Sequence, residues 1–591
     1  MTADLILDFV QRLCERQSEL LAKLPATSAL AATLSRLMPS LTLTKAALEK
    51  QQLIQTHPDL PLQIAVIGPT QAGKSSLVNL IVGQAAAEVS PLAGFTTHPQ
   101  AFLYDVETQR AVPLLEKFFP DFQRFELKEL PRERFDCFGV ASVMAIHKSP
   151  LPSCVVWDTP DFDSIRSRQY LGSVLRIAAL ADLLVLVVSK DKYADQAVWD
   201  FLSLVEGLGQ PTLVCLNKIR PGTQEILRQS WEEKWRRVRK DPCPLLLTLE
   251  YCPHPGDVEV QRAVPLLEAC VALLRKARDR RRQTQVTKLV RRYWSAWTAQ
   301  IRAELEAQER FKAMVEAALD LALSTYRRDF LDHPVGYETL QRTLAELLVL
   351  LEIPGLKRPM MAVRRALTWP IKSLFARSAD VGLKSTPTTE LLILRRSVEH
   401  ALLQLLAQIS DQVHSQETTA YWWQETACRY HASYPALLRL FEVEALNYYH
   451  TFAPRVEEAA KSLYQRLKQM PATLNSLRAA RACTDAAGLA LLFHTGGIGP
   501  HDFVLAPAML SLTSWLAESA LGKYIESVAR DLKRSQLQEV RALLETKLGE
   551  KIAALGEHQD RKTCLGIPKS ALAKVEAELN ERPYGLKLFS I

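Results

Sequence analysis

The stretch Leu62-Gln63-Ile64-Ala65-Val66-Ile67-Gly68-Pro69-Thr70-Gln71-Ala72-Gly73-Lys74-Ser75-Ser76-Leu77-Val78-Asn79-Leu80-Ile81 decides the fold. Its apolar opening, 62–67, has the length and texture of a buried strand. Gly68 to Ser75 spells GxxxxGK[ST], and the apolar-periodic run from Ser76 opens a helix. A strand, a glycine-bounded loop and a helix in that order form a phosphate cradle. Gly68 and Gly73 let the backbone curl so that successive N–H groups, from Thr70, Gln71 and Ala72 on to Ser76, line the anion, with Pro69, which has no N–H, shaping the same loop. The helix adds the positive end of its dipole. Lys74 supplies a charge to the β- and γ-phosphates, and the Ser75 hydroxyl ligates Mg²⁺.

Outward from that loop, short apolar runs alternate with helical stretches. Strands are expected at Leu62–Ile67, Ala101–Val106, Ser153–Asp158, Asp182–Val188, Thr212–Leu216 and Leu245–Leu249. Helices fit between them at about 75–83, 164–180, 194–207 and 223–238. This is the βαβ rhythm of a parallel sheet. Before it, Leu5, Phe9, Leu13, Leu20, Leu24, Leu30, Leu34 and Leu37 recur at helical spacing, and from about 259 onward the pattern is helical throughout. The expected organisation is an N-terminal helical segment (1–58), a nucleotide-binding domain (59–258) and a helical domain (259–591) that divides near 380. The fold class is an α/β P-loop NTPase, a doubly wound and mostly parallel sheet, joined to a large all-α helical region.

The chain has 591 residues, 48% hydrophobic and 23% charged, which excludes a disordered, collagenous or coiled-coil protein. Its ten cysteines form no CxxC pair and no Cys/His cluster with zinc spacing, so a zinc module is excluded. Scattered thiols and an N-terminus without a secretory signal point to a cytoplasmic address, at the inner face of a membrane if peripheral.

A phosphate loop needs a second acidic residue at the end of a neighbouring strand to hold the Mg²⁺ shell. Cys154-Val155-Val156-Trp157-Asp158 supplies it and continues Thr159-Pro160-Asp161. With Gly73-Lys74-Ser75-Ser76-Leu77-Val78-Asn79, the Asp158-Thr159-Pro160 run resembles the P-loop GTPases of the Era-like and dynamin-like branches, over about residues 60–252. In that family the fourth position of the Asp-x-x-Gly motif is glycine; here it is Asp161. The resemblance implies that a threonine before the second strand ligates Mg²⁺ and senses the γ-phosphate. Within Pro91-Leu92-Ala93-Gly94-Phe95-Thr96-Thr97-His98-Pro99, Thr97 is the first choice and Thr96 the second.

Thr212–Leu216 ends in Asn217-Lys218-Ile219-Arg220, similar to the Asn-Lys-x-Asp motif that reads guanine. Asn217 and Lys218 are therefore nucleotide contacts, while Arg220 replaces the guanine-reading aspartate and accepts no hydrogen bonds. Asp195, Asp241 and Asp257 are the acids considered as replacements, and a fifth motif near Thr248–Tyr251 is not recognisable. Lys74, Thr97 and Asp158 form the expected catalytic set, and Ser75, Thr97 and Asp158 the metal set. The implied activity is Mg²⁺-dependent GTP hydrolysis, slow because no catalytic glutamine or arginine finger is identifiable. GTP or ATP as ligand, and a scaffold that binds without hydrolysing, stay open alternatives.

The net charge of +8 is uneven. Basic residues crowd at 275–292, a candidate RNA contact for an Era-like ribosome-associated GTPase, with a solvated connecting helix as the competing reading. Residues 356–377 mix basic and bulky apolar side chains around Trp369, the composition of a membrane-surface segment. The apolar stretches within 486–521 are too short to span a bilayer and read as a hairpin that packs internally or dips into lipid. A dynamin-like arrangement, with helices wrapping the nucleotide domain and nucleotide-dependent self-association, is the expectation by fold analogy.

Overall fold

The computed structural model describes residues 2–90, 95–131, 133–144, 149–163, 167–239, 242–250, 258–279, 283–333, 337–350, 389–415, 419–472, 474–475, 522–557 and 564–580. By internal contacts it separates into Met1–Glu304 with Asp560–Ile591, and Leu305–Gln559.

The first unit is built on one sheet. Its strands are β1 (Leu62–Ile67), β2 (Gln100–Tyr104), β3 (Gln123–Glu126), β4 (Cys137–Val143), β5 (Cys154–Asp158), β6 (Leu183–Ser189), β7 (Thr212–Ile219) and β8 (Leu245–Glu250). They lie in the order β3-β4-β2-β5-β1-β6-β7-β8. Every pairing is parallel except β2 with β5. The six expected strands are present, and β3 and β4 are additional. β3 is a short, mostly exposed polar edge strand with no apolar run to announce it.

Alternation along the strands fixes the two faces. Ile64, Val66, Leu183, Val185 and Val187 join one core, with α3 (Lys74–Val82) and α8 (Val258–Asp279) over it. Ala65, Ile67, Leu184, Leu186 and Val188 join the other, beneath α2 (Ala29–Thr56), α4 (Thr108–Phe118), α5 (Ser167–Leu180), α6 (Gln196–Val205) and α7 (Gln224–Val238). A parallel sheet needs both faces covered, which explains the nearly unbroken apolar strands. Each fully buried Val, Leu or Ile contributes about 1.5–3 kcal/mol. β1 and β6, buried from Gln63 to Val188, therefore form a rigid base for the loop that follows β1.

The first unit draws on both ends of the chain. α2 belongs to the sheet: Lys50 Nζ donates to Asp182 Oδ1 (2.9 Å) and to Ala181 O (2.8 Å) beside the start of β6. α1 (Thr2–Leu21) stacks Phe9 on Trp294 of α9 (Gln283–Tyr326), with 5.1 Å between ring centroids. At the unit's end, Glu304 accepts from Leu565 N through both oxygens (3.1 Å each) and from Gly566 N (3.3 Å).

Burial raises the Glu304 pKa to about 7, against these hydrogen bonds, which lower it. The folded unit thus holds this proton more tightly than the unfolded chain does. That contribution is full below about pH 4.5 and lost as pH rises through 7. Relative to wild type, Glu304→Gln is expected to gain about 3 kcal/mol between pH 4.5 and 8, read from denaturant unfolding at both pH values. A pH-independent difference would contradict this.

The second unit is helical among its described residues: the rest of α9, α10 (Glu338–Leu350), α11 (Thr389–Ser415), α12 (Ala420–Lys468), α13 (Gly522–Leu543) and α14 (Glu550–Leu555). Aromatic side chains of α12 pack against its neighbours, with Phe311 of α9 edge-on to Trp422 and Trp423. Trp422 and Trp423 meet edge to face with centroids 4.7 Å apart, and Tyr430 donates to Leu402 O (2.9 Å). A buried carboxylate, Glu390, accepts from Tyr326 OH (2.8 Å), Tyr448 OH (3.0 Å) and Gln536 Nε2 (2.6 Å), tying four helices through one group. Satisfied networks of this kind specify one arrangement of a bundle.

Candidate functional site

β1 delivers the loop Gly68–Ser75 at the carboxyl end of the sheet, between β5 and β6, where the direction of strand succession reverses. Gly68 is required by packing, since a Cβ there would lie 2.2 Å from Val187 O. Gly73 is required twice: its φ is +94°, and a Cβ would meet Asn217 Nδ2 at 2.4 Å. Gln71 also takes a left-handed conformation, φ 58°, and these alternating backbone signs are what turn N–H groups inward. α3 begins at Lys74, so its dipole points at the same place.

Lys74 is nearly buried, and its Nζ donates to Pro69 O (3.1 Å). Burial lowers its pKa, opposed by the nearby carboxylates of Asp158, Asp161 and Asp163. β1 and β5 pair with Val66 opposite Asp158, which brings the strand-end acid to the loop. Ser75 Oγ donates to Asp158 Oδ2 (2.6 Å), and Thr159 Oγ1 donates to Val66 O (2.9 Å). Burial pushes the Asp158 carboxyl up to about 6, despite the hydrogen bond from Ser75 and the charge of Lys74.

The second oxygen, Asp158 Oδ1, is buried without a hydrogen-bond partner among the described residues. An orphaned carboxylate oxygen beside a serine hydroxyl suits a hard cation. Among the described residues no group of three His, Cys, Asp or Glu would hold a metal alone. Mg²⁺ binds through one or two protein oxygens and completes its shell with phosphates and water. Thr96 Oγ1 lies 3.5 Å from Ser75 Oγ, whereas Thr97 Oγ1 turns to His98 Nδ1 (2.9 Å). Of the two threonines, the structure brings the second choice, Thr96, to Ser75.

Asp161 does not point free into the cradle. Its Oδ1 accepts from Tyr170 OH (2.7 Å) and its Oδ2 from Thr70 Oγ1. Asp163, unremarked in the sequence, accepts at Oδ1 from Thr70 N (2.6 Å) and Thr70 Oγ1 (2.7 Å), and at Oδ2 from Lys192 Nζ (3.0 Å). Burial raises its pKa, but the bonds from Thr70 and Lys192 outweigh that and hold it below the usual carboxylate range. Two carboxylates therefore fasten the segment after β5 to the phosphate loop, the arrangement that the glycine-less Asp161 position permits.

At the other end of the loop, Asn217 Nδ2 donates to Ala72 O (2.9 Å) and Lys218 Nζ to Gln71 O (2.8 Å). Both expected base-side residues thus brace the loop directly. Asp195 pairs instead with Lys192 (3.1 Å), on the Asp163 side, and Asp241 and Asp257 lie outside the described residues.

Residues 63–218 match the family model described as 50S ribosome-binding GTPase. This is a P-loop GTPase domain. The GTPase domain's strand order and loop carry that assignment, and no curated protein matches the chain. Among solved structures, two chains from a study of an oligomerised bacterial dynamin pair in long-range sensing and tethering of membranes are 12% and 13% identical. Their TM-scores are 0.38 and 0.37; 97% and 99% of this chain is covered, and 95% and 96% of theirs. The LeoA bacterial dynamin GTPase from ETEC is 10% identical, with a TM-score of 0.22 and coverage of 97% and 99%. Scores this low add no weight to the GTPase-domain assignment.

Of the remaining expected contact surfaces, 356–377 and 486–521 lie outside the described residues. Among the described residues no helix is long and apolar enough to cross a membrane. In the basic run 275–292, Arg291 donates to Leu579 O and Arg292 approaches Glu206 at 4.0 Å, so part of that charge serves the fold beside the GTPase domain.

Proposed function

We propose that this protein is a Mg²⁺-dependent GTP-binding switch that hydrolyses GTP slowly. Its single strongest support is the convergence of Lys74, Ser75 and the orphaned Asp158 oxygen on one glycine-bounded loop. When bound, Mg²⁺ would neutralise phosphate charge, held by Ser75, Asp158 and the threonine pair 96–97. Lys74 would bind the β- and γ-phosphates, and Asn217 and Lys218 would flank the base.

The three segments 1–58, 59–258 and 259–591 then act as a helical lead, the switch and its helical effector. The effector reads the nucleotide state, in self-association or at an anionic membrane surface reached through 356–377 or 486–521, from the cytoplasmic side. The ribosome-binding description of the matching family and the basic run 275–292 favour a second reading, a ribosome- or RNA-associated switch. Calorimetric titration of the full chain with GTP and ATP, each with Mg²⁺ and with EDTA, tests the core of the proposal. Selective, Mg²⁺-strengthened GTP binding is expected.

A further inference from the structure

Guanine differs from adenine in presenting two adjacent donors, N1–H and the N2 amino group, which one carboxylate accepts together. Arg220 stands at the family's position for that carboxylate, and it is exposed and can only donate. The structure places another acid at the same end of the sheet.

β7 and β8 run in parallel register from Leu213↔Leu245 to Leu216↔Thr248, and then the register slips to Ile219↔Glu250. Three steps along β7 answer two along β8, so β7 carries one extra residue. Lys218, with φ 59°, lies in that bulge. A bulge re-aims side chains. Here it lets consecutive residues, Asn217 and Lys218, both reach the phosphate loop, at Ala72 O and Gln71 O. It also sets Glu250, the last residue of β8, directly beside the strand end that grips the loop. Glu250 is half-buried, and its Oε1 accepts from Gln224 Nε2 in the first turn of α7.

Strands lie about 4.8 Å apart, so the order β1-β6-β7-β8 puts Glu250 roughly 14 Å from the strand that feeds the phosphate loop. A nucleotide anchored by its phosphates at β1 and flanked by Asn217 and Lys218 extends in that direction. We propose that Glu250 is the guanine-reading acid of this protein, with Gln224 positioning its carboxylate. Recognition has moved one strand outward, and the bulge in β7 makes room for it. The assignment rests on the GTPase reading above.

Titrating the full chain with GDP, XDP and ADP in Mg²⁺ tests it, using wild type and Glu250→Gln. The amide supplies a donor where the carboxylate had an acceptor, which mismatches guanine's amino group and matches the oxygen of xanthine. The expected result is a loss of GDP affinity of about tenfold or more with a comparable gain for XDP. Gln224→Ala is expected to narrow the GDP-to-XDP ratio in the same direction by about threefold, within the energy of one hydrogen bond. The ratio within a single preparation does not depend on how much of the variant folds. A wild type that prefers GDP to ADP, with a GDP-to-XDP ratio unchanged in Glu250→Gln, overturns this assignment and leaves the GTPase reading standing. A wild type without preference for GDP over ADP overturns both.

Discussion

Lys74→Ala is expected to weaken GTP binding by about two orders of magnitude while leaving the sheet folded. Lys74 is nearly enclosed, and its charge is held in a site poor in water, where burial lowers its pKa. Among the described residues its Nζ donates to Pro69 O, within its own loop. The empty fold therefore gains little from the ammonium, and its loss does not dismantle the core of β1 and β6. A bound triphosphate is in the opposite position. Removing one partner of a desolvated charge pair typically costs 2–5 kcal/mol, about 30- to 5,000-fold. Calorimetry against wild type reads the affinity, and thermal melting of the same samples reads the fold. Unchanged GTP affinity would remove Lys74 from the site.

Asp158→Asn is expected to move stability and ligand binding in opposite directions. Its carboxyl is buried and raised to about 6, so at pH 7.5 the metal-free fold carries a charge it disfavours. The folded domain binds this proton more tightly than the unfolded chain. The associated stability is complete below about pH 4 and lost as pH rises through 6. An asparagine is neutral throughout. The variant should therefore be more stable than wild type at pH 7.5 without metal, by about 2–3 kcal/mol, and equal to it near pH 4. With Mg²⁺ and GTP the order reverses, because Asp158 Oδ1, which has no protein partner, is the oxygen a cation would neutralise. Mg²⁺-dependent GTP affinity should drop about 100-fold, with little change in EDTA, as for other metal sites deprived of a carboxylate. Sites that sacrifice stability for function behave in this way. A variant that is less stable without metal would contradict the account.

Local physics makes the phosphate loop legible in the sequence. Gly68, Gly73, Lys74 and Ser75 lie within eight residues, and each is needed for a backbone or charge reason that spacing alone conveys. Asp158 was legible because an apolar run ending in an acid is a strand end, and register does the rest. The threonine choice was harder. Thr96 and Thr97 are neighbours on an extended chain, and a shift of one residue exchanges which hydroxyl faces Ser75. β4 has a weak signal in the sequence because Gly139 interrupts its apolar run; Leu127 and Leu130 fill the space a Cβ would take. Asp163 could not be read at all. Its meaning lies in Thr70, 93 residues earlier, and in Lys192, 29 residues later. Glu250 likewise gains its place only from the bulge in β7, a feature without a compositional signal. The placement of α2 on the sheet needed a partner, Asp182, more than a hundred positions away.

The central claim is that this loop binds guanine nucleotide with Mg²⁺, and titration of the wild-type chain with GTP and with ATP tests it most directly. The account predicts saturable GTP binding, weakened by EDTA, and ATP binding at least about tenfold weaker, the discrimination expected of one base-reading carboxylate. Equal affinity for the two nucleotides, or no binding of either, would contradict it.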